Sequence, residues 1–208
     1  MIIDSYLATA QVAAGLLQAP ELTDRWAAPS ALAEFRVSGL AGHLATAVFR
    51  VEQALTADVP DEPPVDAAEY FARGDAPGRS PDEPRQQGIR RLGEEAAADG
   101  PAALADRVDA SIDRLATTLP GEPADRPVYG IRAVMRLDQW VLTRMIELAV
   151  HIDDLAISLD VPTPDLPPEA ADLVITTLAR IAVKHHGAVP VLRGLSRRER
   201  TTAPIAAF

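Results

Sequence analysis

Residues 137–159, LDQWVLTRMIELAVHIDDLAISL, constrain the fold more than any other stretch of the chain. At about 100° per residue on a helical wheel, Leu142, Met145, Ile146, Leu148, Ala149, Val150, Ile152, Leu155, Ile157 and Leu159 cover most directions. A helix apolar around most of its circumference must be covered by other elements. The exceptions, Trp140, Thr143, Arg144, Glu147, His151, Asp154 and Ser158, largely gather in one narrow stripe. Glu147 and His151 stand at i and i+4, so their side chains stack on one face. The stripe faces either solvent or a polar cavity inside the protein, and the functional reading turns on which.

The rest of the chain supplies helices to cover it. Residues 2–18 read as a first helix, with Ile2, Ile3, Tyr6, Leu7, Ala10, Ala13, Ala14 and Leu17 on one side and Pro20 as its stop. A loop holding Trp26 and Pro29 follows, with room for an extra turn at 30–34. Ser38 reads as the N-cap of a second helix carrying Leu40, Leu44, Ala47, Val48, Val51 and Leu55 at helical spacing. Residues 57–84, rich in proline, glycine and acids, read as a crossover with a short helix at 66–73; so long a connection separates helices that are not hairpin neighbours. Residues 81–119 read as helical with a break at Gly100-Pro101, where proline suits a first helical position.

Residues 121–136 read as a connector with a short extended segment from Val128 to Met135. Asp138 reads as the N-cap of the long helix, with Leu137 before it as a staple. Prolines at 162, 164, 167 and 168 separate it from a last helix at 169–186, for which Gly187 is the C-cap. No stretch sustains a strand pattern. The expectation is an all-α bundle over residues 1–190 and a C-terminal tail over 191–208, with a basic knot at Arg197, Arg198 and Arg200 read as solvated or salt-bridged.

Composition removes several function classes. A net charge of −10 and a pI near 4.8 argue against nucleic acid and anionic membrane as main partners. With no cysteine among 208 residues, disulfides, cysteine nucleophiles and thiolate metal sites are excluded. The N-terminus has no basic n-region, and no run of about 18 apolar residues offers a membrane span. The default is a soluble, cytoplasmic protein.

Three candidate metal ligands emerge. His43 lies on the apolar face of the second helix, between Leu40 and Ala47; the ordinary alternative is a hydrogen-bonded core histidine. Glu147 and His151 form a chelating pair whose separation the helix fixes before metal arrives. Two histidines and a carboxylate leave open coordination positions, the pattern of a catalytic site. Zinc leads the candidates, with iron, nickel and manganese left open. Arg144 is placed to hold the free oxygen of Glu147 or to meet an acidic substrate, and Asp154 to orient the His151 imidazole. The ordinary alternative is a solvent-facing stripe with an Arg–Glu pair contributing little. His185 and His186 are rival ligands, but at a helix C-terminus the dipole favours protonated histidine.

The segment TRMIELAVHIDDLA resembles the R-x-x-E-x-x-x-H-x-x-D-L signature of the mycothiol-dependent maleylpyruvate isomerase family, a branch of the DinB/YfiT-like metal-binding helical bundles. VSGLAGHLATAV is similar to the family's first-ligand segment, and LSRRER…AF to the ending of its shorter members. The resemblance runs from about residue 36 to the end. It implies a DinB-like four-helix bundle with a long crossover between helices 2 and 3. It also implies a divalent metal, usually zinc, on His43, Glu147 and His151, and mycothiol as thiol cosubstrate. The open metal position would bind the thiol as thiolate, which adds to a double bond, permits rotation and leaves. The chain reads as a short member without the full isomerase's C-terminal domain.

Two function classes follow. The first is a metal- and thiol-dependent isomerase or S-transferase acting on a small electrophile. The second is a non-catalytic metal-binding or ligand-sensing bundle, for which a homodimer through an exposed apolar helix face is a natural assembly. A plain helical domain without metal is the third and blandest reading.

Overall fold

The computed structural model describes residues 1–74, 82–200 and 203–208. Four helices form the bundle: α1 (Ile2–Leu17), α3 (Val37–Thr56), α6 (Pro101–Thr118) and α7 (Leu137–Leu159). Helix α7 packs on α1 and α3, and α6 closes the other side against the same two. The connection from α3 to α6 holds α4 (Ala67–Gly74), the short helix expected at 66–73, and α5 (Pro84–Ala96), the first part of the helical stretch expected over 81–119. Its residues 75–81, and the first residue of the helical stretch expected over 81–119, lie outside the described residues. Helix α8 (Pro168–His186) covers α7 and α4.

The helix ends show where local signals govern and where tertiary partners override them. Gly100 (φ 91°) precedes Pro101 and α6, and Gly187 (φ 85°) ends α8, as the sequence predicts. Two expected N-caps are corrected. Helix α3 begins at Val37 after an extended Arg36, and Ser38 donates instead to Glu94 Oε2 at 3.2 Å. Helix α7 begins at Leu137, and Asp138 inside it accepts a hydrogen bond from Arg136 at 2.9 Å. Pro20 ends α1's reach but also opens a further helix, α2 (Pro20–Arg25), because proline at N1 loses no hydrogen bond. The extra turn expected at 30–34 forms a turn closed by Phe35 N–H to Leu32 O at 3.1 Å.

The extended segment in the connector is a hairpin, β1 (Pro127–Tyr129) with β2 (Val134–Arg136), in the register Val128 opposite Met135. Residues 188–196, read from sequence as bundle edge and tail, form α9 (Ala188–Ser196), which packs against α8. The basic knot follows in a 3-10 turn at Arg198–Arg200 with Arg197, Glu199 and Arg200 exposed, in keeping with a solvated end.

Two packing features position the site. Gly39 and Gly42 of α3 meet Gly93 of α5 with their backbones in close approach. This pins the N-terminal half of α3. On the other side, Trp140, Val141, Met145, Ile146, Leu148, Ile152 and Leu155 of α7 are fully buried, each side chain contributing about 1.5–3 kcal/mol by leaving water. Helix α7 is therefore gripped along its length, and its polar stripe is held in register. No helix among the described residues is long and apolar enough to cross a membrane.

Candidate metal centre

The polar stripe of α7 turns inward. Thr143 is fully buried and Arg144 is 5% exposed, while Ser158 is 7% exposed. Glu147 and His151 keep 22% and 13% of their side-chain surface, so the middle of the stripe is only partly accessible to solvent. Helix α3 runs alongside and delivers His43, 19% exposed, to the same point. The solvent-facing alternative for this stripe therefore fails.

Three donor atoms converge. Glu147 Oε2 lies 3.3 Å from His151 Nε2 and 3.8 Å from His43 Nε2. One ligand atom from each residue falls within 4.8 Å of the other two. The two imidazoles meet edge-on, with ring centroids 4.6 Å apart. A tetrahedral ion with bonds of about 2.0–2.1 Å needs donors roughly 3.3 Å apart. One edge of the triangle has that length already and a second needs to close by about half an ångström. The donor set also has the right chemistry: two borderline nitrogens and one hard oxygen, from two rigid helices.

The surrounding groups fix proton positions. His151 Nδ1 lies 2.9 Å from Asp154 Oδ2, so Nδ1 carries the proton donated to that carboxylate and Nε2 faces Glu147. Burial lowers the His151 pKa, but hydrogen bonds to Asp154 and Glu147 outweigh it and push it up to about 9. Burial, assisted by the charge on His151, brings His43 down to about 3, leaving it neutral. Burial also raises the Glu147 carboxyl, yet the His151 hydrogen bond and the charges of Arg144 and His151 hold it below the usual carboxylate range. At neutral pH without an ion, the cluster holds one carboxylate, one neutral imidazole and one imidazolium. The imidazolium occupies the electrostatic position that a cation would take.

Arg144 and Asp154 stand where sequence places them, Arg144 Nη2 reaching to 3.7 Å from Glu147 Oε1. The rival histidines do not join the cluster. His186 Nε2 lies 2.7 Å from the carbonyl of Ala206, and its ring pairs with His185. Three neighbours were not singled out from sequence. Phe35 lies 5.9 Å from the His43 ring, and Tyr70 lies under the Arg144 guanidinium at 5.9 Å. Arg50, the third, feels the charges of Arg144 and Glu147. Arg50 had a signal, since seven residues after His43 is the same face of α3. Tyr70 comes from the crossover and Phe35 from a loop, where no periodicity points inward.

The comparisons with known proteins follow this geometry. The family model of the mycothiol maleylpyruvate isomerase N-terminal domain matches residues 7–156, a span that holds His43, Glu147, His151, Arg144 and Asp154. The chain belongs to that family. A crystal structure of the mycothiol-dependent maleylpyruvate isomerase superposes with a TM-score of 0.54 at 16% identity, covering 86% of this chain and 69% of that one. At such identity the likeness speaks for the fold alone: an all-α, DinB-like bundle shared by the two chains. No curated protein matches the chain. Within the mycothiol maleylpyruvate isomerase N-terminal domain family, this chain presents its converging donors from the first long bundle partner, α3, and from α7.

Proposed function

We propose that the protein is a divalent-metal- and thiol-dependent enzyme, an isomerase or S-transferase acting on a small electrophile, with mycothiol as the thiol. The observation that carries the reading is the convergence of His43, Glu147 and His151 from two helices into a partly open triangle. Family membership supports the thiol. His43 Nε2, His151 Nε2 and a Glu147 oxygen are the groups that would hold the ion, zinc before iron, nickel or manganese. A bound divalent ion supplies positive charge that lowers the pKa of a thiol at an open coordination position.

The chain's own residues do the rest. Asp154 accepts the hydrogen bond of His151 Nδ1–H, which would leave Nε2 as the nitrogen that turns to an ion once its own proton is displaced. Arg144 stands by the second oxygen of Glu147 and keeps that carboxylate ionised. Phe35 lies beside the His43 ring, its centroid 5.9 Å away, and gives that flank of the site an apolar neighbour. With no cysteine in the chain, the reacting sulfur comes from the small molecule. The test is to offer zinc-loaded protein mycothiol with a panel of small electrophilic alkenes and epoxides. Conjugation or cis–trans conversion that requires both zinc and thiol is expected. Absence of zinc-dependent turnover across the panel counts against an enzyme and for a sensing bundle.

A further inference from the structure

Helix α8 buries one face and leaves the other to solvent. Its inner face packs on α4, α7 and α1, with Ala170, Val174, Thr177, Ile181 and Ala182 buried. On the outer face two rows at i, i+4 spacing lie side by side. One row is Ile175, Ala179 and Val183, with Ile175 65% and Val183 38% exposed. The other is Asp172, Thr176 and Arg180, all three exposed. Among the described residues the side chains of Asp172 and Arg180 have no ion-pair or hydrogen-bond partner. Eight residues separate them, about 12 Å along the axis, too far for them to pair with each other. Glu169, also exposed, adds to the acid of the N-terminal half. At the other end Lys184 is held by Glu69 at 2.8 Å, which leaves Arg180 as the base of the C-terminal half. The outer face thus carries acid before Thr176 and base after it, with an apolar row alongside.

We propose that this face binds the same face of a second copy of the chain, with the two α8 helices antiparallel and crossing at Thr176. Acid and base on either side of a midpoint match a partner that presents them in reverse order, and a two-fold axis beside Thr176 supplies that partner from the chain itself. The reversal sets Asp172 against the partner's Arg180, and Arg180 against the partner's Asp172. A parallel arrangement would oppose like charges at both positions. In the commonest class of helix crossing the i, i+4 rows of the two helices run alongside each other, so both rows are used at once. The ion pairs fix direction and register. The row of Ile175, Ala179 and Val183 leaves water and supplies most of the affinity, since exposed ion pairs contribute little and are screened by salt. Antiparallel pairing also brings the α9 end of one copy beside the α7–α8 connection of the other. The first carries Leu192, Leu195 and Arg193, and the second Ile157 and Asp165, all exposed. These ends are opposite in charge and alike in exposed apolar side chains, so contact between them extends the same interface. A partner protein of one charge sign would satisfy only half of the α8 face.

Sedimentation equilibrium of the full chain over a range of concentrations tests the pairing. Wild type is expected to reach twice the 22.2 kDa of one chain. Asp172→Arg and Arg180→Asp each oppose like charges at both ends of the crossing, and each is expected to weaken the dimer by at least about tenfold. The double variant, Asp172→Arg with Arg180→Asp, reverses both signs together and is expected to restore association to the wild-type level. Ile175→Glu places a charge in the apolar row and is expected to give a monomer. All these positions are exposed, so unchanged helix content by circular dichroism is expected and shows that each variant is folded. Wild type that is monomeric at every concentration overturns the proposal and leaves the face to a different partner. A double variant that stays as weak as the single ones overturns the antiparallel register. A dimer that every variant keeps overturns the proposal by placing the interface elsewhere.

Discussion

The close approach of α3 and α5 gives a prediction in which one substitution changes sign with its surroundings. A Cβ added at Gly42 would lie 2.9 Å from the Gly93 carbonyl carbon and 3.2 Å from the Ala97 Cβ, with the Gly93 oxygen closer still. Carbon atoms settle at about 3.5–4.0 Å, and the obstruction is backbone, which cannot rotate away. The helices must part by roughly 1 Å. Overpacking costs about 1–3 kcal/mol, and against backbone that cannot yield the upper part of that range applies, about 2–3 kcal/mol, set against about 1 kcal/mol gained from the better helix propensity of alanine. Gly42→Ala is expected to lose about 1–2 kcal/mol net, a fall in Tm of roughly 2–8 °C for a chain of this size. Gly15→Ala is the control: nothing lies within 4 Å of an added Cβ there, so up to about 1 kcal/mol of stabilisation is expected. Because residue 42 adjoins His43, Gly42→Ala is also expected to weaken zinc. Urea and thermal unfolding of both variants decide it. A Gly42→Ala protein as stable as wild type would refute the argument that the two backbones touch.

Two further predictions concern the cluster itself. Asp154→Asn is expected to lower zinc affinity about 10–100-fold while leaving the fold intact, read by competition with a chromophoric chelator; unchanged affinity would remove Asp154 from the site. The second follows from protonation. In the ion-free protein His151 is raised to about 9, so it is charged at neutral pH, whereas His43, lowered to about 3, is not. The raised pKa stabilises the ion-free fold below about pH 6.5, and that contribution is lost as pH rises through about 9. Zinc must displace the His151 proton. Binding is therefore expected to release one proton per zinc at pH 7, with affinity falling about tenfold per pH unit below 9 and levelling above it. Calorimetry in buffers of different ionisation enthalpy measures the proton count, and zero release at pH 7 would contradict the assignment.

The parts of the site legible in sequence were those governed by helical period. An apolar surface covering most of α7 calls for other helices to cover it, and i, i+4 spacing stacks Glu147 on His151, while the side to which the stripe turns was left open by the pattern. His43 followed from its place between Leu40 and Ala47. What sequence did not show depended on the tertiary partner. Ser38 looked like a cap and is instead bonded to Glu94 across the α3–α5 contact. Pro20 looked like a stop and is also a start. Residues 191–208 were read as tail, yet α9 spans Ala188–Ser196, with Pro190 in its first turn, where proline does no harm. Arg50 carried the right spacing and was not singled out, since arginine on a bundle helix usually marks the solvated face. Tyr70 reaches the site from the crossover, whose path no local pattern specifies.

Elemental analysis of protein purified without added metal, then offered zinc, tests the central claim most directly. About one divalent ion per chain is expected in wild type, with a rise in Tm on zinc addition and loss of the ion in both His43→Ala and His151→Ala. Wild-type protein that stays metal-free after zinc is offered, and is not stabilised by it, would contradict the metal centre.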